Sequence, residues 1–114
     1  MILEDSIIRH TVTENGAGKC SGSGGWGSAV KVGQGSQFVT VRNNQIYENC
    51  GEGIGATKTG NVSIVGNTLY DNFSVDIYVD NSNDVTMNGN ATSYTGNSAY
   101  YRSNDVGACI GLGI

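Results

Sequence analysis

Apolar and polar residues alternate in short runs along most of the chain, as in Val39-x-Val41, Ile54-x-Ala56, Val62-x-Ile64, Ile77-x-Val79 and Val85-x-Met87. A period of two turns one face of an extended segment inward, so each run predicts a short strand. Ile46 and Leu69 stand singly among polar residues and mark a further, shorter strand in each unit. Asn, Gly and Asp fill the intervals, as turns require.

The runs recur at a constant distance. Val39, Val41, Asn44, Ile46, Tyr47, Asn49, Ile54 and Ala56 reappear as Val62, Ile64, Asn67, Leu69, Tyr70, Asn72, Ile77 and Val79, each 23 positions on (67 − 44 = 23). Val85, Met87 and Asn90 continue the same step. Three short strands in a repeat of this length describe one coil of a solenoid, whose apolar face is buried only when coils stack. Leu69 then faces the core, Tyr70 faces out, and Asn72 closes the short strand.

Towards both ends the frame shifts. Ile7, Val12 and Asn15 match Val41, Ile46 and Asn49 at an offset of 34, while Val30 and Val32 match Ile54 and Ala56 at 24, so ten residues (34 − 24) are inserted before Ala29. On this frame His10 stands at the rung of Asn44 (44 − 34 = 10). Ile110 and Leu112 match Ile77 and Val79 at 33, ten beyond the period, which makes "YTGNSAYYRSNDVGA" a second long loop.

The pattern V-x-I-x-x-N-x-I-Y-x-N-x-x-x-x-I resembles the right-handed parallel β-helix repeat of the pectate-lyase-like superfamily, including NosD-like and related secreted repeat proteins, over nearly the whole chain. The expected fold is therefore all-β: a right-handed single-stranded parallel β-helix with two longer loops and four coils, counted by Val30, Ile54, Ile77 and Ile110. Residues 1–114 are expected to form a single β-helix domain, a fragment of a longer solenoid. The resemblance also implies an internal asparagine ladder of Asn44, Asn67 and Asn90, and an extracellular or cell-surface location. In enzymes of the superfamily, the polysaccharide groove lies on the sheet that here carries Val30, Ile54, Ile77 and Ile110. Fold alone does not carry a reaction.

Composition agrees with an all-β chain, with 18 Gly, no Pro and only 14% charged residues. A net charge of −4 with six Lys and Arg argues against a nucleic-acid partner, which needs clustered basic residues. No apolar run approaches the roughly 20 residues of a membrane-spanning helix, and no signal peptide opens the chain. Cys20, Cys50 and Cys109 leave at least one cysteine without an intrachain partner and form no C-x-x-C pair. With a single His they make no familiar zinc spacing, so neither metal nor cofactor is expected.

By alternation the groove sheet points Ala29, Lys31, Gly53, Gly55, Asp76, Tyr78, Asp80, Cys109 and Gly111 outward. Trp26 from one long loop and Tyr101 with Arg102 from the other could wall this trough. The expected substrate-binding residues are Trp26, Lys31, Tyr78, Tyr101 and Arg102, since aromatic rings stack on sugars while polar groups meet hydroxyls. The same aromatics could instead cap the ends of the solenoid.

Catalytic candidates are Lys31, Asp76 and Asp80. The two aspartates stand about 13 Å apart on an extended strand, beyond the roughly 6.5–9.5 Å of an inverting glycosidase pair, which would leave Glu52 or Asp105 to supply a closer partner. Two functions remain open: a carbohydrate-active module binding or processing a polysaccharide or oligosaccharide, as a lyase, hydrolase or epimerase would, and a structural solenoid without chemistry. Open strand edges at the ends also predict end-to-end self-association.

Overall fold

The computed structural model describes residues 1–11, 27–93, 100–103 and 109–113, the last two stretches and Ser93 as strand backbone alone. The first coil contains β1 (Ile2–Glu4), β2 (Ile7–Arg9) and β3 (Ser28–Val32), and the second β4 (Gln37–Arg42), β5 (Gln45–Tyr47) and β6 (Glu52–Thr57). The third comprises β7 (Gly60–Val65), β8 (Thr68–Tyr70) and β9 (Ile77–Asp80), and the fourth β10 (Asn83–Asn88), β11 (Ala91–Ser93) and β12 (Tyr100–Ser103), followed by β13 (Cys109–Gly113).

Every pairing is parallel and joins successive coils. Three sheets result, β1-β4-β7-β10-β13, β2-β5-β8-β11 and β3-β6-β9-β12, here called the first, second and third. This is the expected parallel β-helix. Val39, Val41, Val62, Ile64, Val85 and Met87 line its interior from the first sheet, Ile46 and Leu69 from the second, and Val32, Ile54, Ala56, Ile77 and Val79 from the third.

Each corner turns on one residue with positive φ. Between the first and second sheets these are Asp5, Asn43, Gly66 and Gly89; between the second and third, His10, Glu48 and Asp71; between the third and first, Gly35, Lys58 and Asn81. Phe38, Asn61 and Asp84 form a fourth such column inside β4, β7 and β10. These four columns contain every described residue of positive φ. Asn, Asp and Gly suit them because they enter the left-handed region at least cost.

The residue after each corner is polar, and from Asn44 to Asn90 every one of them is buried. At the first corner Asn67 donates from Nδ2 to Asn90 Oδ1 (3.0 Å) and to the Val41 carbonyl (2.9 Å), while its own Oδ1 accepts from Asn44 N and Nδ2 (3.0 Å each). All its hydrogen-bonding capacity is used. A second ladder stands at the next corner, where Thr11 donates to Asn49 Oδ1 and Asn49 Nδ2 to Asn72 Oδ1 at 2.9 Å. Asn72 is thus a ladder rung rather than only the close of a strand. The third corner stacks Ser36, Thr59 and Ser82, with Thr59 N donating to Ser82 Oγ at 3.3 Å and Thr59 Oγ1 donating to the Ser36 carbonyl.

Both terminal frames are corrected. Leu3, not Ile7, pairs with Val41, and Ile8, not Val12, with Ile46, an offset of 38 (41 − 3). Ile7 faces solvent at 62% exposure, and Val12 and Asn15 lie outside the described residues. The insertion before β3 is accordingly 14 residues (38 − 24). Ser6 occupies the terminal rung of the first ladder and donates from its backbone to Asn44 Oδ1, whereas His10 is a corner residue bonded to Glu48 at 2.8 Å on the surface.

At the other end Tyr100 pairs with Ile77, so the period of 23 (100 − 77) continues unbroken into the supposed loop. Cys109–Gly113 pairs with β10 in the first sheet. Ile110 and Leu112 therefore do not continue the Ile77 and Val79 columns, and Cys109 and Gly111 are not on the groove sheet.

Asn67→Ala is expected to lower the unfolding free energy by roughly 2–4 kcal/mol, because it strands buried partners on both neighbouring coils. Thr68→Ala, at the exposed adjacent position, is expected to stay within about 0.5 kcal/mol of the parent. Urea unfolding of the two variants checks the contrast.

Candidate functional site

The third sheet brings three of the sequence-predicted residues into one row. Lys31 pairs with Gly55, Gly55 with Tyr78, and Tyr78 with Tyr101, so the four positions run along the solenoid axis. Lys31 is exposed and Tyr78 half-buried. Arg102 holds the register position of Val79, one step off this row. Trp26 and Asp105 lie outside the described residues.

Gly55 is buried, and the Ser28 and Glu52 side chains cover its position in the row. A methyl group there would run into Ser28 and meet Glu52 Oε2 at 3.1 Å, and those two side chains hydrogen-bond at 2.6 Å. Glu52 is thus held beside the row by Ser28. Gly53 does not belong to the outer floor: a Cβ there would come within 2.8 Å of Leu69 Cδ2 and 3.1 Å of Asn72 Nδ2.

Asp76 is also not an outward residue. It lies in the bend before β9, only 4% exposed, and its Oδ1 accepts from Asn72 Nδ2 at 2.8 Å. The Asp76 carboxylate therefore terminates the donor chain of the second ladder, and its backbone carbonyl accepts from Ile54 N at 2.8 Å. Burial pushes its pKa up, against the opposing effect of the Asn72 hydrogen bond. Asp80 ends β9, with Oδ2 3.4 Å from Asn81 Nδ2 and Oδ1 buried without a hydrogen-bond partner among the described residues. The pair predicted on one exposed face is thus divided between interior and rim.

On the second sheet, Arg9, Tyr47 and Tyr70 share an outward row. The tyrosine rings stack with centroids 4.6 Å apart and planes 5° from parallel, and the Arg9 guanidinium lies 5.9 Å from the Tyr47 centroid. Such stacking is what in-register aromatics at rung spacing allow. Burial, then the neighbouring Tyr47, Glu48 and Asp71, push the Tyr70 hydroxyl pKa up. On the surface of the first sheet, Arg42 Nε donates to Glu4 Oε2 at 2.6 Å.

The first sheet carries two concavities that strand alternation on the third sheet did not direct attention to. One, of about 500 Å³, is lined by Phe38, Thr40, Asn61, Ser63, Asp84 and Thr86. The other, of about 350 Å³, adjoins it at the third corner, sharing Asn61 and Asp84 and adding Lys58, Asn81 and Asn83. The legible signal was the same period: Thr40, Ser63 and Thr86 stand 23 apart, as do Phe38, Asn61 and Asp84. No group of three or more His, Cys, Asp or Glu able to hold a metal occurs among the described residues.

Comparison with known proteins adds one match. A family model described as "Right handed beta helix region" covers residues 5–110. No curated protein and no solved structure matches the chain.

The raised pKa of Asp76 fixes the sign of a pH effect. As pH falls, the folded state takes up this proton before the unfolded state does, so stability rises through the folded pKa and the gain is complete below the ordinary value of 3.8. Asp76→Asn keeps an acceptor for Asn72 and removes the buried charge. It is expected to be more stable than the parent at pH 7, with the difference shrinking towards pH of about 4. Thermal unfolding of both proteins across this range measures it.

Proposed function

The chain belongs to the right-handed β-helix family, and from that premise we propose that it is a carbohydrate-binding module, holding a polysaccharide along the outer face of its third sheet. The observation that carries this reading is the in-register row Lys31–Gly55–Tyr78–Tyr101. Consecutive rungs lie about 4.8 Å apart, and a glycan laid parallel to the solenoid axis would meet the Lys31 cation, the Ser28–Glu52 pair at the Gly55 rung, then Tyr78 and the Tyr101 position. Tyrosine offers an apolar face to a sugar and a hydroxyl to its substituents. Lys31 supplies a donor at one end.

Binding is favoured over processing because Asp76, one of the three catalytic candidates, is committed to the second ladder. Lys31 and Asp80 remain on or beside the face, and a lyase-, hydrolase- or epimerase-like reaction would have to use them with Glu52. The disulfide-bonded state of Cys50 supports an extracellular or cell-surface setting.

Wild-type protein is expected to be retained by at least one insoluble polysaccharide among cellulose, chitin, xylan and pectin. Tyr78→Ala is expected to weaken that retention about tenfold, equivalent to roughly 1.4 kcal/mol, with Lys31→Ala weaker by less. Equal retention of parent and Tyr78→Ala would remove the third sheet from the reading. Retention by none of the four would favour a structural solenoid.

A further inference from the structure

Phe38 stands in the position least suited to it. Its φ of 57° places a bulky aromatic residue in the left-handed region, where Asn, Asp and Gly are the tolerant types. Its side chain is 73% exposed. At the same column the next two coils use Asn61 and Asp84, the residues expected there. The solenoid therefore has a less strained way to build this rung, and the second coil does not use it.

The surroundings are consistent with one ligand chemistry. Phe38 stands at one end of the 500 Å³ concavity, followed along the axis by Asn61 and Asp84, with Thr40, Ser63 and Thr86 in the parallel row. Residues 38, 61 and 84 are also absent from the paired register of β4, β7 and β10, where Gln37–Gly60–Asn83 and Val39–Val62–Val85 are matched. Three rungs span about 10 Å, enough for two sugar rings of an extended chain. One apolar ring face, a carboxamide, a carboxylate and three hydroxyls form a surface for C–H stacking and hydroxyl pairing. With Asp84 on its floor, the strip suits a neutral glycan better than an anionic one.

We propose that the outer face of the first sheet is a second glycan-binding strip, separate from the third-sheet site, that takes a neutral oligosaccharide stacked on Phe38. It shares only the ligand class with the third-sheet reading and stands or falls on different residues. A module with two such faces would hold two glycan chains and bridge them.

Amide chemical shifts during titration with cellohexaose, mannohexaose and xylohexaose, with hexagalacturonate as the anionic comparison, test the strip. The amides of Thr40, Asn61, Ser63 and Thr86 are expected to shift with at least one neutral hexasaccharide. In Phe38→Asn the apparent affinity read from these amides is expected to fall at least tenfold while Tm holds or rises, because strain and an exposed aromatic are removed together. Phe38→Tyr is expected to keep binding, and Tyr78→Ala to leave these four amides responsive. Silence of the four amides with every neutral probe, response to hexagalacturonate alone, or undiminished response in Phe38→Asn would overturn the proposal. The amides of Lys31, Gly55 and Tyr78 report the third-sheet site in the same titrations, so failure of one reading is told apart from failure of the other.

Discussion

The backbone turns each corner of the coil on a single left-handed residue, and the rest of the architecture follows from that economy. A turn so short leaves the next residue's N–H pointing into the interior, where water cannot reach it. A buried, unpaired amide costs about as much as a lost hydrogen bond. Asn44 and Asn67 solve this by receiving the side-chain oxygen of the coil above at their own backbone N–H, as well as at Nδ2. The ladders are therefore the completion of the backbone's hydrogen bonding at the corners, and the apolar columns pack between them. Hydrophobic side chains fill the sheets, and polar side chains hold the vertices.

This constraint decides which parts of the surface are free to vary. Inward positions answer to the residues above and below, one coil away in each direction. Outward rows answer only to spacing. Where an outward row repeats one residue type, as Tyr47 and Tyr70 do, it yields a ring stack that the lattice spacing itself favours. Where it changes type, the change has to be explained by something other than the coil. Lys31, Gly55 and Tyr78 differ along one row, and Phe38, Asn61 and Asp84 along another. In the second case the first member is also strained, which makes the departure more informative than composition alone.

The central coils were legible in the sequence because each level of the pattern agreed there. Alternation marked the strands, Asn44, Asn67 and Asn90 marked one corner, and a common offset joined them. The ends were misread for physical reasons. Ser6 and Thr11 do the work of asparagine rungs with a backbone amide or a hydroxyl, so the motif that anchors the frame disappears. The adjacent Ile7 and Ile8 then offer two frames, and periodicity alone cannot say which isoleucine faces in. At the far end "CIGLG" alternates more clearly than "YYRS", yet Tyr100–Ser103 is the strand that continues the third sheet. The Ser36–Thr59–Ser82 corner was hidden in the same way, since hydroxyl rungs resemble ordinary polar loop residues.

Asp76 shows why the candidate site was harder to read than the fold. Counting alternate residues along an extended strand places it beside Tyr78 and Asp80, but β9 begins only at Ile77. The preceding bend turns Asp76 back towards Asn72, because that asparagine has a second Nδ2 hydrogen to place after donating one to the Ile46 carbonyl. A buried acceptor next to a buried donor is worth more here than a carboxylate exposed to solvent. A strand-period argument assigns faces only where the residue is in a strand; at corners the hydrogen-bonding needs of the neighbouring coil decide. Carboxylates beside an asparagine ladder must therefore first be tested as parts of that ladder, and only those left over are available to meet a ligand.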